Sequence, residues 1–400
     1  MILPRLVYRS LRQHALSTLV TAGSIALAAG LLMTVWTVKA QSQRAFTEST
    51  SGFDAVLGAR SSKLQLVLNA IFHLEASPGN VAWTDYEFIA RHPAVKTAVP
   101  IAVGDNFEGW RIVGTVPEMF TQVELAPGEK HAFAEGRLFT DGEREAVIGS
   151  FAAQKLGWKV GQTFRPYHGI NYDPATQHEE EFVVTGILAP TNTPADRVIW
   201  IPLKGVQTMS GHDPRAATDV SAVLLQFRAA TAGLMLDVMY NKQGNRLTLA
   251  YPVSTIMADL FNKISWFDRV LALVAYLVAL VAAGSVLAGI YASMSARRRD
   301  IAILRALGAR RRTIFGSVLA EAAAIGALGA IAGFGVYLGL WYGVAEVIRA
   351  ESGVVLTWGD ERNVWWICPL AMTALSALGG IVPALKAYRI PVAESLAPVS

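Results

Sequence analysis

The chain has 400 residues, of which 52% are hydrophobic and only 16% charged. An ordinary soluble domain carries about 25% charged residues, so a chain soluble throughout is excluded. The net charge of +4 gives no reason to expect a nucleic-acid partner, and the single cysteine, Cys368, rules out an intrachain disulfide and a cysteine metal cluster.

Residues 1–14 carry Arg5, Arg9 and Arg12 ahead of the first apolar run, 15–38. A signal peptide also has a basic start, but its apolar stretch covers about 7–15 residues and ends at a small-x-small cleavage site. Residues 15–38 are longer and run on into polar, helix-compatible sequence, so an uncleaved anchor is expected. Residues 39–266 read as a globular domain of mixed α/β class with stalk-like ends, long enough to be held by its own core. Within it, Phe53–Asn80 is apolar in its middle. Leu64, Leu66, Val67, Leu68, Ile71, Phe72 and Leu74 are too many for one exposed face, which leaves a buried core helix or a partner-facing surface. Thr84–His92 suits a helix stopped by Pro93, and Val95–Val99, Arg111–Val116 and Phe182–Leu188 are predicted strands. Val253–Trp266 is amphipathic and reads as a stalk, with 39–50 as its counterpart.

Three more apolar runs follow at 267–294, 314–347 and 364–385. They are separated by 295–313 and 348–363, and a tail at 386–400 closes the chain. A span needs roughly 20 mostly apolar residues to cross about 30 Å of hydrocarbon. The sequence therefore predicts a multi-pass α-helical membrane protein with four transmembrane helices and an α/β domain inserted between the first two. Segment 295–313 holds seven arginines and one acid, and Lys386 and Arg389 follow the last run. The loop at 348–363 has no basic excess. All basic segments share one side of the bilayer if both termini are cytoplasmic, which puts 39–266 outside. Four helices are too few to enclose a hydrophilic pathway, which points to a dimer. In the third run Gly329 and Gly333, and Gly335, Gly339 and Gly343, recur at helical spacing. Small residues let helix backbones approach in lipid, within one subunit or between two.

Six of the seven histidines lie in the inserted domain: His73, His92, His131, His168, His178 and His212. None forms an H-x-H, H-x-x-H or H-E-x-x-H pair, so spacing predicts no metal site. His178, followed by Glu179–Glu181 and close in sequence to His168, comes nearest to a ligand set. A solvated acidic loop is the other reading. The chain holds neither G-x-x-x-x-G-K-[ST] nor G-x-S-x-G, and no catalytic constellation, so no enzyme is expected. Away from the span ends Glu321 is the one acid, and it lies near the start of the third run, which disfavours a proton-driven carrier.

The segment RRRDIAILRALGARRRTIFG, 297–316, is the most informative. Ile301, Leu304 and Leu307 repeat at helical spacing, Arg298 and Arg305 share another face, and Gly308 suits a helix stop. Binding to anionic lipid would explain the flanking arginines. A short helix with an apolar stripe also suits a groove on a soluble partner. The pattern R-x-x-D-I-A-I-L-R-A-L-G-A-x-R-x-x-I resembles the signature of FtsX-like permeases, the family that includes the macrolide exporter MacB and the lipoprotein-release permeases. Glu321 in S-V-L-A-E, the tail 383–396 and the four-span layout agree with that family. Residues 136–164 resemble the periplasmic domain of MacB-like permeases. Phe53–Asn80 departs from that pattern and resembles permeases from bacterial clusters associated with zinc uptake.

The resemblance implies the permease subunit of an ABC transporter in the bacterial inner membrane. Two copies would pair. Arg298, Arg299, Asp300, Ile301, Leu304, Arg305, Leu307 and Gly308 would form a coupling helix on a cytoplasmic ATPase. That partner would supply ATP and magnesium, with no cofactor held by this chain itself. Motion would pass to the periplasmic domain and a partner there by mechanotransmission. A regulator that activates an extracytoplasmic partner, and a component of zinc or lipoprotein handling, are the alternatives.

Overall fold

The computed structural model describes residues 2–48, 50–126, 128–211, 218–244, 246–296, 298–356 and 362–389. The chain divides into two units, one of 1–41, 265–346 and 357–400 and the other of 42–264 and 347–356.

The second unit is α/β. Among the described residues eleven strands join in one sheet. Its main order runs Leu247–Ala250, Ala55–Ala59, Ala222–Phe227, Val95–Phe107, Trp110–Thr115, Ile199–Pro202, Glu145–Ile148, Phe182–Leu188, Phe133–Gly136. Thr163–Phe164 pairs with Phe182–Leu188, and Tyr167–His168 pairs with Val95–Phe107. Most pairings are antiparallel, but Ile199–Pro202 lies parallel to Trp110–Thr115, and Phe182–Leu188 parallel to Glu145–Ile148. Both faces of this sheet are covered. Ala55, Leu57, Ile199 and Ile201 enter one apolar core, while Val56 and Trp200 enter the other. That double burial explains the unbroken apolar runs, since a strand with one wet face would alternate.

Phe53–Asn80 contributes a strand and a core helix. Ser62 caps helix Lys63–Ala70 by accepting from the Gln65 N–H at 3.1 Å. Leu66, Val67 and Ala70 are buried, and Leu64 and Leu68 pack against the same core. The helix lies so close on the sheet that a Cβ on Gly58 would stand 2.2 Å from Leu66 Cδ2. The predicted Thr84–His92 helix is Trp83–Ala90, and the strand predicted from Val95 runs to Phe107. The stalk residues join this core too. Phe46 stacks on Phe72 with ring centroids 5.4 Å apart and lies 5.5 Å from Phe261.

The other unit is helical. Four helices among the described residues are long and apolar enough to cross a membrane: Ala15–Thr47, Val253–Met294, Arg311–Ser352 and Asn363–Tyr388. The first run continues as helix to Glu48, and the second is continuous from Val253, so each apolar stretch shares one helix with its stalk. The fourth run divides at Gly380, where a Cβ would stand 2.5 Å from that of Ala322. An amphipathic helix, Ile2–Gln13, precedes the first span and leaves Arg5, Arg9 and Arg12 exposed.

Candidate functional site

Within the helical unit the arginine-rich segment forms the short helix Arg298–Ala306. Gly308 ends it with φ +97°, a conformation open to glycine. The Gly308 N–H donates to the Arg305 carbonyl and the Ala309 N–H to the Leu304 carbonyl, both at 3.0 Å. Helix Arg311–Ser352 starts directly after this turn.

The apolar side chains of the short helix face two ways. Ile301 and Ala302 are buried, and Leu304 packs against the same bundle core as Ile314 and Val318. Ile303 is 42% exposed and Leu307 79% exposed. Of the stripe read as a docking face, Ile301 and Leu304 thus hold the helix to the bundle, and only Leu307 is turned outward. A helix lying on a bundle must bury one apolar face, and the best-repeating stripe takes that role. Ile303, passed over in the sequence, joins Leu307 outside. Arg299 is exposed and Arg305 partly so. Arg298 and Asp300 lie in the same helix, and their side chains fall outside the described set. Leu307, Leu304 and Ile301 also line a cleft of ≈ 550 Å³ shared with Leu6, Val7 and Ser10 of the N-terminal helix. At this cleft the Ser10 hydroxyl donates to the buried Glu321 carboxylate.

The glycines of the third span divide into two sets. A Cβ on Gly329 would meet Ile25 Cβ at 2.6 Å and the Ala22 carbonyl at 2.7 Å, and one on Gly333 would meet Ala29 Cβ at 2.8 Å. These two serve packing against the first span of the same chain. Gly335, Gly339 and Gly343 have nothing within 4 Å of an added Cβ.

In the α/β unit the two histidines singled out in the sequence come together. The strand Val95–Phe107 has a bulge between Val103 and Asp105, and Asp105 pairs in register with His168. A bulge re-aims the side chains beside it. Asp105 Oδ1 lies 3.4 Å from His168 Nδ1 and 3.2 Å from His178 Nε2. Asp105 and His178 are buried, whereas the His168 side chain is 53% exposed. The surrounding backbone is tied down. Asn106 Nδ2 donates to the carbonyls of Gly169 at 2.9 Å and Asn171 at 3.2 Å. The His178 N–H donates to the Pro166 carbonyl at 2.9 Å. On the far side of the ring, His178 Nδ1 lies 2.8 Å from the Ser210 carbonyl. Glu180 does not join the cluster. Its carboxylate accepts from the Ser210 N–H at 2.9 Å and the Ser210 hydroxyl at 3.0 Å, and these bonds outweigh burial to hold its pKa below the usual value. Asp105 was missed in the sequence. Its one signal is Gly-Asp-Asn in the middle of an apolar strand, where Gly and Asp are both disfavoured. His212 lies outside the described residues.

The fold and sites define a multi-pass membrane protein whose α/β domain is inserted between its first two spans. Residues 15–233 match the MacB-like periplasmic core domain, and residues 272–392 match the FtsX-like permease C-terminal family. The first match alone spans more than half of the chain, and the chain belongs to the FtsX/MacB-type family of ABC permeases. A curated relative, the pyoverdine export ATP-binding/permease protein PvdT of Pseudomonas fluorescens (strain Pf0-1), is 26% identical over 361 residues. That alignment takes in 84% of this chain and 51% of PvdT, so the chain spans about half the length of this relative. Among solved structures, the periplasmic region of MacB from Actinobacillus actinomycetemcomitans matches with a TM-score of 0.36 and 11% identity, over 53% of this chain and 95% of that one. The extracellular domain of the noncanonic ABC-type transporter YknZ from Gram-positive bacteria matches with a TM-score of 0.30 and 18% identity, over 48% of this chain and 97% of that one.

Proposed function

We propose that the chain works as the permease subunit of an ABC transporter in a bacterial inner membrane, with both termini cytoplasmic. Two copies pair, and each engages an ATPase domain through the short helix Arg298–Ala306 and the Gly308 turn. ATP and magnesium bind in that ATPase, since these 400 residues hold no P-loop sequence. The observation that carries the reading is the arginine-flanked helix itself. It is braced on the bundle by Ile301, Ala302 and Leu304, and it presents Ile303 and Leu307 to the surroundings. An apolar pair ringed by cations on a braced helix is suited to a groove on a soluble partner. The open face at Gly335, Gly339 and Gly343 supports the paired arrangement, because small residues permit close approach of a second helix. The helices that run unbroken from span to stalk support transmission of a movement made at the ATPase.

The test is co-purification of the full-length chain from its native membrane in mild detergent with nucleotide present. Ile303→Asp combined with Leu307→Asp should abolish recovery of a P-loop ATPase while leaving the melting temperature nearly unchanged, since exposed substitutions usually cost within about 0.5 kcal/mol. Leu304→Asp is the poorer probe, because it places a charge against the bundle core. ATPase recovery undiminished in the double variant would overturn the assignment of the helix.

A further inference from the structure

We propose that Asp105, His168 and His178 form a binding site for a divalent transition-metal ion of the zinc class on the α/β unit. It stands on local geometry and does not require the permease reading.

The first argument is chemical. The Ser210 carbonyl can only accept, so His178 must donate from Nδ1 across the 2.8 Å contact. In a neutral imidazole that leaves a lone pair on Nε2, which faces the Asp105 carboxylate at 3.2 Å. A buried carboxylate facing that lone pair is stabilised by a cation held between the two, and a metal ion, like a proton, can supply it. The bond from Nδ1–H to a backbone carbonyl is also the usual support of a ligating histidine, since it fixes the tautomer and directs the other nitrogen at the metal.

The second argument is metric. Two ligands held about 2.0–2.1 Å from a tetrahedral zinc ion lie about 3.3 Å apart. Asp105 Oδ1 stands 3.2 Å from His178 Nε2 and 3.4 Å from His168 Nδ1, and all three ligand atoms lie within 4.8 Å of one another. The two imidazole rings are 5.5 Å apart at 81°. Two rings on one such ion would have centroids about 5 Å apart.

Two imidazoles and one carboxylate favour zinc, cobalt, nickel or copper over magnesium and calcium, which prefer oxygen donors throughout. The donors come from places far apart in the chain: a sheet bulge, a two-residue strand and a loop pinned by Asn106 and Ser210. Such a scaffold holds ligands before the ion arrives. The half-exposed His168 leaves one side open to solvent, as in sites that exchange an ion or keep a coordination position free.

The experiment uses the untagged full-length chain in detergent, stripped with a chelator and exchanged into chelator-free buffer. Cobalt(II) is titrated as the spectroscopic probe, and zinc is then added to displace it. The expected result is one cobalt ion per chain with the intense visible absorption of a tetrahedral site, bleached by zinc. His168→Gln alters a half-exposed side chain and should leave the fold intact while weakening affinity by at least about 100-fold, the upper end of what loss of a supporting partner costs. Asp105→Asn should remove the absorption, with a thermal melt to confirm folding. Absence of cobalt uptake by the wild-type chain would overturn the proposal and leave a proton between Asp105 and His178. Uptake undiminished in folded His168→Gln and Asp105→Asn proteins would overturn it as well, placing the ion at other residues.

Discussion

Gly333 and Gly339 lie on one helix, and only one of them has a neighbour to clash with. A leucine at 333 would drive into Ala29, whose Cβ is already 2.8 Å from where a Cβ would begin. Overpacking of this kind typically costs about 1–3 kcal/mol, so Gly333→Leu should lower the melting temperature of the detergent-solubilised chain. Gly339→Leu meets open space. It should leave that melt unchanged and weaken energy transfer between differently labelled copies. A melt equally depressed by both would contradict the division of the glycines into two sets. The sequence spacing alone could not make this division, since all five glycines recur at helical intervals. What separates them is the rotation of the helix, which the neighbouring span determines.

Buried histidines set a second expectation at the same scale. His131 lies against Phe120, with rings 5.5 Å apart, and neither of its ring nitrogens has a hydrogen-bond partner among the described residues. Burial lowers its pKa to about 4. His73 is lowered to about 3, by burial first and then by the nearby Arg111 and Arg197. Both are neutral in the folded chain at pH 7, while the unfolded chain takes up protons near the ordinary histidine value of about 6.5. The unfolded state therefore binds more protons below that pH. The stability contributed by the neutral forms is fully present above about 6.5 and is lost as pH falls toward the folded values. His131→Phe should flatten the stability profile of the α/β unit between about pH 6.5 and 4, measured by chemical denaturation. An unchanged slope would show that His131 is not the group responsible.

At the scale of elements, apolar periodicity and turn residues exposed much of the fold. The strand predicted at Phe182–Leu188 is present with those bounds, and the one predicted at Arg111–Val116 is shifted by a residue to Trp110–Thr115. Leu66, Val67 and Ala70 fill the core as the excess of apolar residues in that segment suggested. Strand order stayed hidden, because Ala222–Phe227 is buried on both faces and carries no alternation from which a partner could be inferred. The same reason obscured the face of the short helix Arg298–Ala306. Its apolar residues Ile301, Ile303, Leu304 and Leu307 surround much of it, so spacing could not tell the bracing set from the presented one. The Asp105, His168 and His178 cluster was legible only in part. His168 and His178 are close in sequence, but Asp105 reaches them through sheet pairing, and no local spacing encodes that.

The molecule as a whole joins two units through helices that carry both membrane-length apolar stretches and stalk residues. Helix Val253–Ala296 begins at the α/β core, where Val253 and Met257 are buried, and ends one residue before the arginine-rich segment. Under the proposed coupling role, a movement imposed at Arg298–Ala306 would pass along this one continuous helix. The family matches cover both parts, 15–233 and 272–392, and give that arrangement its place among the ABC permeases.

Cross-linking from Leu307 tests the central claim most directly. Leu307 is 79% exposed, and the single native thiol, Cys368, is partly buried in a span, so Leu307→Cys introduces a distinct reactive site. In native membranes a thiol-directed cross-linker at this position should capture a nucleotide-binding subunit, with a yield that changes on adding ATP. Labelling of the same cysteine by a membrane-impermeant reagent applied from outside intact cells, with no ATPase captured, would contradict both the orientation and the coupling role.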